Sequence, residues 1–237
     1  MSSNSLLYKN KCPINQFINI VIPTVGEVVD NEDLYFGLVS ILTAMPIDMM
    51  VVLDDAGIDF TTIDEYQLFL MMFENIKNTD TSLIFGDLDL SNFQLMENLD
   101  NKTIVLRDCD TGVVIDRNIY ELIANTLRKI HHLTKNTKRP ANKEARAFLI
   151  DRARKKMRRR NKKEESALEG LIVAMVNTEQ YKYDFERTRE LSIYQFNESV
   201  RQIVHKVDYE NKMLGVYTGN INPSDFNQDD FNWLSHK

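Results

Sequence analysis

Two carboxylates separated by one residue, Asp87 and Asp89, have a spacing that could bind a metal ion. Hard cations prefer such oxygen ligands, and metal-dependent phosphoryl-transfer sites use them. No further carboxylates follow at the spacing of a cation-binding loop. A turn or a helix cap explains the same residues without any special assumption. We therefore rank a metal-dependent enzyme last among the hypotheses and expect no metal and no cofactor.

Other groups that could do chemistry fit structural roles. Asp108 and Asp110 flank Cys109 in a pattern typical of a hairpin turn, and His131 and His132 end a predicted helix, where a cation stabilises the helix dipole. The four histidines are too scattered to indicate a metal site. The chain contains no GxSxG, P-loop, GxGxxG or HExxH pattern. We predict that the protein is not an enzyme.

The strongest chemical signal is a basic belt across the middle of the chain. Residues 128–163 hold 16 Lys/Arg and only two acids, whereas the rest of the chain has 13 Lys/Arg and 33 Asp/Glu. A local charge of +14 therefore stands against −20 elsewhere, which points to a charged partner. The residues predicted to bind it are Arg152, Arg154, Lys155, Lys156, Arg158, Arg159, Arg160, Lys162 and Lys163.

The charge of the belt leaves the class of partner open. Clustered Arg and Lys on a helix neutralise phosphates, so nucleic acid is one candidate. Docking onto an acidic surface of the same chain or of another protein is the alternative. Phe148 is the only aromatic residue of residues 134–163, and interleaved aromatics that would stack on bases are missing. A protein partner is the preferred interpretation.

The elements that must position these residues are mostly helices, because the chain has only 8 Gly and 5 Pro. A β-branched run predicts a strand over residues 17–23. Helices are predicted over residues 31–44, over 46–55 with Pro46 as the first residue, and over 62–77 with a capping box at Thr62. Three short apolar runs over residues 93–97, 103–107 and 113–115 predict an antiparallel meander, with residues 100–102 as its first link.

The second half of the chain is predicted to be helical. Asp116 caps a helix over residues 117–133, residues 134–141 form a linker, and Asn142 caps a basic helix over residues 143–163. Further helices cover residues 165–176 and 191–217, with Gly219 ending the last. Two sets of residues are predicted to face inward: on the basic helix Ala145, Phe148, Leu149, Ala153 and Met157, and on the last helix Ile193, Phe196, Val200, Ile203, Val204, Val207, Met213 and Leu214.

The predicted fold class is α+β, mainly α. Residues 1–133 are predicted to form an N-terminal α+β domain with a small antiparallel β-meander, residues 134–163 a linker and a long basic connecting helix, and residues 164–237 a helical C-terminal domain. Five methionines crowd two of the N-terminal helices (Met45, Met49, Met50, Met71 and Met72). They are better explained by core packing than by a groove for a partner helix.

The composition also indicates where the protein is located. No apolar run reaches the roughly 20 residues of a membrane-spanning helix, so no membrane association is expected. The N-terminus lacks the pattern of a secretory signal, and Cys12 and Cys109 lie far apart outside any CxxC pattern. We expect an intracellular protein.

Several short segments resemble a group of proteins from tailed bacteriophages of Gram-positive bacteria. The similar segments are residues 22–27, 42–48, 57–60, 85–90, 127–131, 174–181 and 232–234. In overall sequence character the group is similar to proteins of the tail-morphogenesis cluster, such as tail assembly chaperones. That resemblance implies a non-enzymatic morphogenesis factor or a minor virion component, found in the host cytoplasm or in the virion. Such a protein would act by contact with phage tail proteins, either the tape measure or the tail tube. It transfers no residue-level site and leaves the oligomeric state open.

Overall fold

The computed structural model describes residues 5–98, 102–159, 166–227 and 231–234. These residues form ten α-helices and two small antiparallel sheets. The predicted class, α+β and mainly α, is confirmed.

The N-terminal segment forms a two-stranded sheet followed by two helices. Strand β1 (Lys11–Pro13) pairs antiparallel with β2 (Asn19–Val21), which lies inside the predicted strand. Helix α1 (Val25–Asp30) begins with a capping box in which Thr24 and Glu27 bond each other's backbone amides. Helix α2 (Glu32–Thr43) follows after one residue and agrees with the prediction.

The next two helices begin later than predicted. Helix α3 (Met50–Asp55) does not start at Pro46, because the Asp48 carboxylate accepts a hydrogen bond from the Met45 amide and holds residues 46–49 in turns. Helix α4 (Glu65–Met72) is capped by Asp64 and Gln67. The predicted cap, Thr62, instead donates its hydroxyl to the Asp59 carbonyl. Helix α4 ends in a 3₁₀ turn at Phe73–Asn75, short of residue 77.

The meander prediction is confirmed. After the short helix α5 (Ser82–Phe85), strands β3 (Phe93–Glu97), β4 (Ile104–Asp108) and β5 (Val114–Ile115) pair in that order, all antiparallel. Leu106 on the central strand faces Leu95 on one side and Ile115 on the other. Two residues of the predicted link, 100 and 101, lie outside the described residues.

Five further helices complete the fold. Asp116 caps α6 (Arg117–His131) as predicted, accepting from the Ile119 amide at 2.8 Å. Residues 134–140 are irregular, and then come α7 (Lys143–Arg159), α8 (Ala167–Val176), α9 (Phe185–Glu190) and α10 (Ile193–Tyr217). Residues 160–163 of the predicted basic helix lie outside the described residues.

One buried core joins the N-terminal segment to the start of α10. Its residues run from Leu6 to Phe196 and include the fully buried rings of Tyr35, Phe73 and Tyr120. A backbone hydrogen bond connects these two parts of the chain directly, since the Ile193 amide donates to the Pro23 carbonyl at 2.8 Å. The division of the chain at residues 133 and 163 stays a prediction, and the core includes residues from both sides of it.

A smaller cluster lies beside the main core, under α7. It consists of Ala44, Ile47, Leu53, Phe60, Leu68 and Ile150. Four of the five crowded methionines, Met45, Met49, Met50 and Met72, pack against it, which confirms their role as core residues. Met71 is half exposed. None of the helices in the described part of the chain has the length and apolar character needed to span a membrane.

Candidate interaction site on the basic helix

Helix α7 carries the described part of the predicted binding residues. Its first turn is capped as predicted, because the Asn142 side-chain oxygen accepts from the Ala145 amide at 2.8 Å. The helix packs against α3, almost a hundred residues earlier in the chain. The contact brings the most basic element of the chain onto one of its acidic segments.

The inner face of α7 differs from the predicted apolar seam. Ile150, which was not in that seam, is 7% exposed and joins the small cluster, while Phe148 is 65% exposed and Met157 is also exposed. Leu149 and Ala153 are half-buried, in agreement with the prediction, as is Ala145. The helix is therefore rotated from the orientation that its apolar residues alone predict.

Two arginines on the inner face explain this rotation. Arg154 Nη2 lies 2.6 Å from Asp54 Oδ2 and 2.6 Å from Asp55 Oδ1, and Arg146 forms an ion pair with Asp59. The hydrogen bonds that Arg154 donates to Asp55 and Asp54 raise the pKa of Arg154 above its ordinary value. Arginine stems cover apolar surface while the guanidinium reaches a carboxylate, so both residues share a face with Ile150. One member of the predicted binding set, Arg154, is thus engaged within the chain.

The first cations of the basic belt also form ion pairs within the chain. Arg128 on α6 and Glu65 on α4 are both buried, with Arg128 Nη2 2.9 Å from Glu65 Oε2. The same nitrogen donates to the Thr43 carbonyl at 2.9 Å, and Lys135 pairs with the second oxygen of Glu65. Lys135 lies in the predicted linker, so this pair fixes the segment that leads into α7. The sequence showed the cations but gave no sign that a single buried glutamate receives two of them.

The outer face of α7 is cationic and carries one large apolar side chain. Phe148, Arg152 and Lys155 follow at the spacing of one helix stripe, and Lys156 flanks them. All four are exposed. Lys155 pairs with Asp151 on the same helix at 2.6 Å. Arg152, Lys156 and Arg158 make no ion pair within the part of the chain that the structure describes.

The remaining predicted binding residues lie at or beyond the end of this helix. Arg159 is its last described residue, and Arg160, Lys162 and Lys163 are outside the described residues. The structure thus groups Arg152, Lys155, Lys156 and Arg158 on solvent-exposed surface and separates Arg154 from them. We call Phe148, Arg152, Lys155 and Lys156 the outer ridge.

One of the two carboxylates considered for a metal, Asp89, has a local structural role. Asp89 accepts from the Ser91 amide at 2.9 Å and from its hydroxyl at 2.7 Å, and these hydrogen bonds lower the pKa of Asp89. Asp108 similarly accepts from the Asp110 amide in the turn after β4, as the hairpin interpretation predicted. Among residues 5–98, 102–159, 166–227 and 231–234, no three His, Cys, Asp or Glu side chains are grouped to hold a metal ion.

The histidine pair ends α6 as predicted, with His132 as its C-cap, but His131 does not supply the predicted cation. Burial lowers the pKa of His131 to about 4, so the ring is neutral near pH 7 and supplies no cation to the end of α6. His131 Nε2 lies 2.9 Å from the Tyr35 hydroxyl, and the neutral ring packs at a tilt against Tyr35 and edge-to-face against Phe36. His132 ends the helix in the left-handed conformation and lies 3.6 Å from Glu198.

Comparison with known proteins adds evidence for the C-terminal part of the chain. Residues 160–237 match the family model described as the YomV second domain. That is a phage-derived family. The match agrees with the resemblance to phage proteins in the sequence, and it covers α8, α9 and α10 but not the outer ridge. No curated protein and no solved structure matches the chain.

Proposed function

We propose that the protein is a non-enzymatic phage morphogenesis factor that acts through protein–protein contacts, with the outer ridge of α7 as its binding surface. The partner would be a tail protein, the tape measure or the tail tube. The observation that carries this proposal is the exposed Phe148 beside Arg152 and Lys155. An apolar side chain surrounded by cations suits an acidic amphipathic protein surface, because aromatic and arginine side chains dominate binding at protein interfaces.

The way α7 is held supports a binding role for its other side. Ile150 and the pairs formed by Arg146 and Arg154 attach the inner face to α3, so the outer ridge is presented on a fixed support. A rigid surface loses less entropy on binding than a mobile one. The exposed cations would steer an acidic partner and make its association salt-dependent.

Nucleic acid binding through residues 152–163 is the second candidate. The observation in its favour is that Arg152, Lys156 and Arg158 are exposed and form no ion pair among the described residues, which leaves them able to neutralise phosphates. Against it, Phe148 is the only aromatic on the ridge.

Co-expression with tape-measure fragments and with tail-tube protein tests the first proposal. A stable complex in pull-down and calorimetry is expected, and Phe148→Ala should weaken it by about 1–3 kcal/mol if the ring is a binding anchor. Leu122→Ala, which truncates an exposed apolar side chain on α6, is the matched control and should leave binding unchanged. A complex that forms equally well with Phe148→Ala would contradict the role of the ridge.

A salt titration with generic DNA and RNA separates the two candidates. The nucleic-acid function predicts a steep fall in affinity with salt, a slope that flattens when Arg158, Arg159 and Arg160 become Gln, and no loss with Phe148→Ala. The protein-binding function predicts that Phe148→Ala loses affinity for the tail partner. Absence of nucleic acid binding at low salt would remove the second candidate.

A further inference from the structure

Strand β3 forms an outer edge of the three-stranded sheet. It pairs with β4 from Phe93 to Glu97 without a bulge. Just beyond the strand the Asn98 amide donates to the Thr103 carbonyl at 2.8 Å, which fixes the phase of the ladder. Bonded and non-bonded residues alternate along an antiparallel pair. Residues 94 and 96 therefore bond to β4, and residues 93, 95 and 97 direct their backbone groups away from it.

Most of the backbone groups on this edge have no partner in the described part of the chain. The Phe93 amide donates to the Leu90 carbonyl at 3.1 Å. The groups left over are the amides and carbonyls of Leu95 and Glu97 and the carbonyl of Phe93. These two donors and three acceptors lie along one line at the spacing of a strand. One added strand can satisfy all of them at once.

The other edges of the two sheets are protected in ways that β3 lacks. Strand β1 contains Lys11 and Pro13, β2 packs against α5, and β5 has only two residues. Lysine, proline, a covering element and short length are the usual means by which proteins prevent a strand from adding to an edge. Strand β3 has five residues, none of them lysine or proline. Its edge is therefore open to an added strand.

Exposed apolar side chains flank the free edge on both faces of the sheet. Leu95 is 48% exposed and Met96 42% exposed, and successive residues of a strand point to opposite faces, so an added strand would cover both. The apolar side chains exposed on α10 differ from these. Val204 and Leu214 are each 61% exposed, contrary to the prediction that they face inward. A helix satisfies its own backbone, so these two side chains do not specify the structure of an occupant.

We propose that β3 is a strand-addition site for an extended segment of another protein, with an apolar residue opposite Leu95 and a basic residue opposite Glu97. Glu97 is exposed and is the only charged residue of β3. Opposite charges on directly facing residues stabilise a strand pair. A second copy of β3 has no basic residue to place there, so the charge favours a foreign segment. The pairing with β4 already holds the edge extended, which lowers the entropy lost on binding.

A capped peptide with the sequence of residues 102–107 is a suitable probe, because β4 already supplies these side chains as neighbours of β3. In the antiparallel register that places its isoleucine opposite Leu95, its lysine lies opposite Glu97 and its leucine opposite Phe93. The amide of the isoleucine then faces the edge, and the amide of the valine that follows points away from it.

Calorimetry with the intact protein and N-methylated peptides tests the site. The unmodified peptide should bind, and a methyl group on the isoleucine amide should weaken binding by about tenfold or more, since it removes a hydrogen bond to the edge. A methyl group on the valine amide should change the affinity by less than about threefold. Absence of binding at about millimolar peptide, or equal effects of the two methyl groups, would overturn the inference.

Variants of the protein locate the site on β3. Leu95→Pro removes an amide that points outward, so it should abolish peptide binding and leave the circular dichroism spectrum unchanged. Met96→Pro removes an amide bonded to β4 and should lower the melting temperature instead. Phe148→Ala should bind the peptide like the wild type, which separates this site from the outer ridge. A dimer of the free protein that Leu95→Pro dissociates would show that a second copy occupies the edge, and would overturn the choice of a foreign segment.

Discussion

At the scale of single residues, Glu65 is a buried carboxylate that pairs with two cations. Its removal would leave the buried Arg128 guanidinium with neutral partners among the described residues: the Thr43 carbonyl, the Asn125 side chain and the Met45 sulfur. Removing one partner of a buried ion pair leaves an uncompensated charge, whose cost exceeds that of a lost surface pair.

Glu65→Ala should therefore lower the free energy of unfolding by about 3–5 kcal/mol, measured by urea denaturation. Glu74→Ala is the control, because Glu74 is exposed and pairs with Lys77 at 3.8 Å, and a change within about 0.5 kcal/mol is expected there. Equal effects of the two substitutions would show that the buried pair contributes no more than a surface one.

His131 gives the stability of the protein a dependence on pH. In the unfolded chain its pKa is near 6.5, and in the folded protein burial lowers it to about 4. Between these values the unfolded state binds more protons, so the free energy of unfolding falls as the pH drops from 6.5 to 4. The shift corresponds to about 3 kcal/mol when the loss is complete.

Comparing wild type with His131→Gln isolates this contribution, since the carboxylates that titrate in the same range are common to both. The difference in free energy of unfolding between the two proteins should change by up to about 3 kcal/mol between pH 7 and pH 4, in favour of the variant at low pH. His205→Gln, on α10, serves as a control. Parallel curves for wild type and His131→Gln would contradict the assignment.

At the scale of elements, the docking of α7 depends on one apolar side chain. Ile150→Ala should cost about 2–4 kcal/mol of docking free energy and speed amide hydrogen exchange throughout α7. Phe148→Ala removes a larger side chain from the same helix, but its site is exposed, so stability and exchange should stay as in the wild type. If Phe148→Ala were the destabilising change, the helix orientation described above would be wrong.

The elements also show what the sequence could predict. Strong local signals placed α2, the meander and the Asp116 cap of α6 correctly, because they depend on neighbours in the chain. The starts of α3 and α4 were misplaced, since Asp48 and Asp59 form turn hydrogen bonds that compete with Pro46 and Thr62 as helix starts. The orientation of α7 depends on Asp54, Asp55 and Asp59, and the pattern within α7 holds no information about them.

At the scale of the whole molecule, the shared core predicts that the protein unfolds cooperatively. Residues from β2, α2, α6, α8 and α10 meet in one buried cluster. Calorimetry should therefore show one main unfolding transition, with equal calorimetric and van't Hoff enthalpies. Two independent domains divided at residues 133 and 163 would instead give two separate transitions, so the same measurement decides the predicted domain division.

The backbone hydrogen bond between Pro23 and Ile193 has a consequence for biosynthesis. A ribosome that adds about 5–20 residues per second needs roughly 9–35 s to proceed from β2 to the start of α10. During that interval Ile20, Tyr35 and Tyr120 lack the last part of the core that covers them. The nascent chain is therefore exposed to aggregation for most of its own translation, and its yield in a cell should depend on holding factors that bind emerging polypeptides.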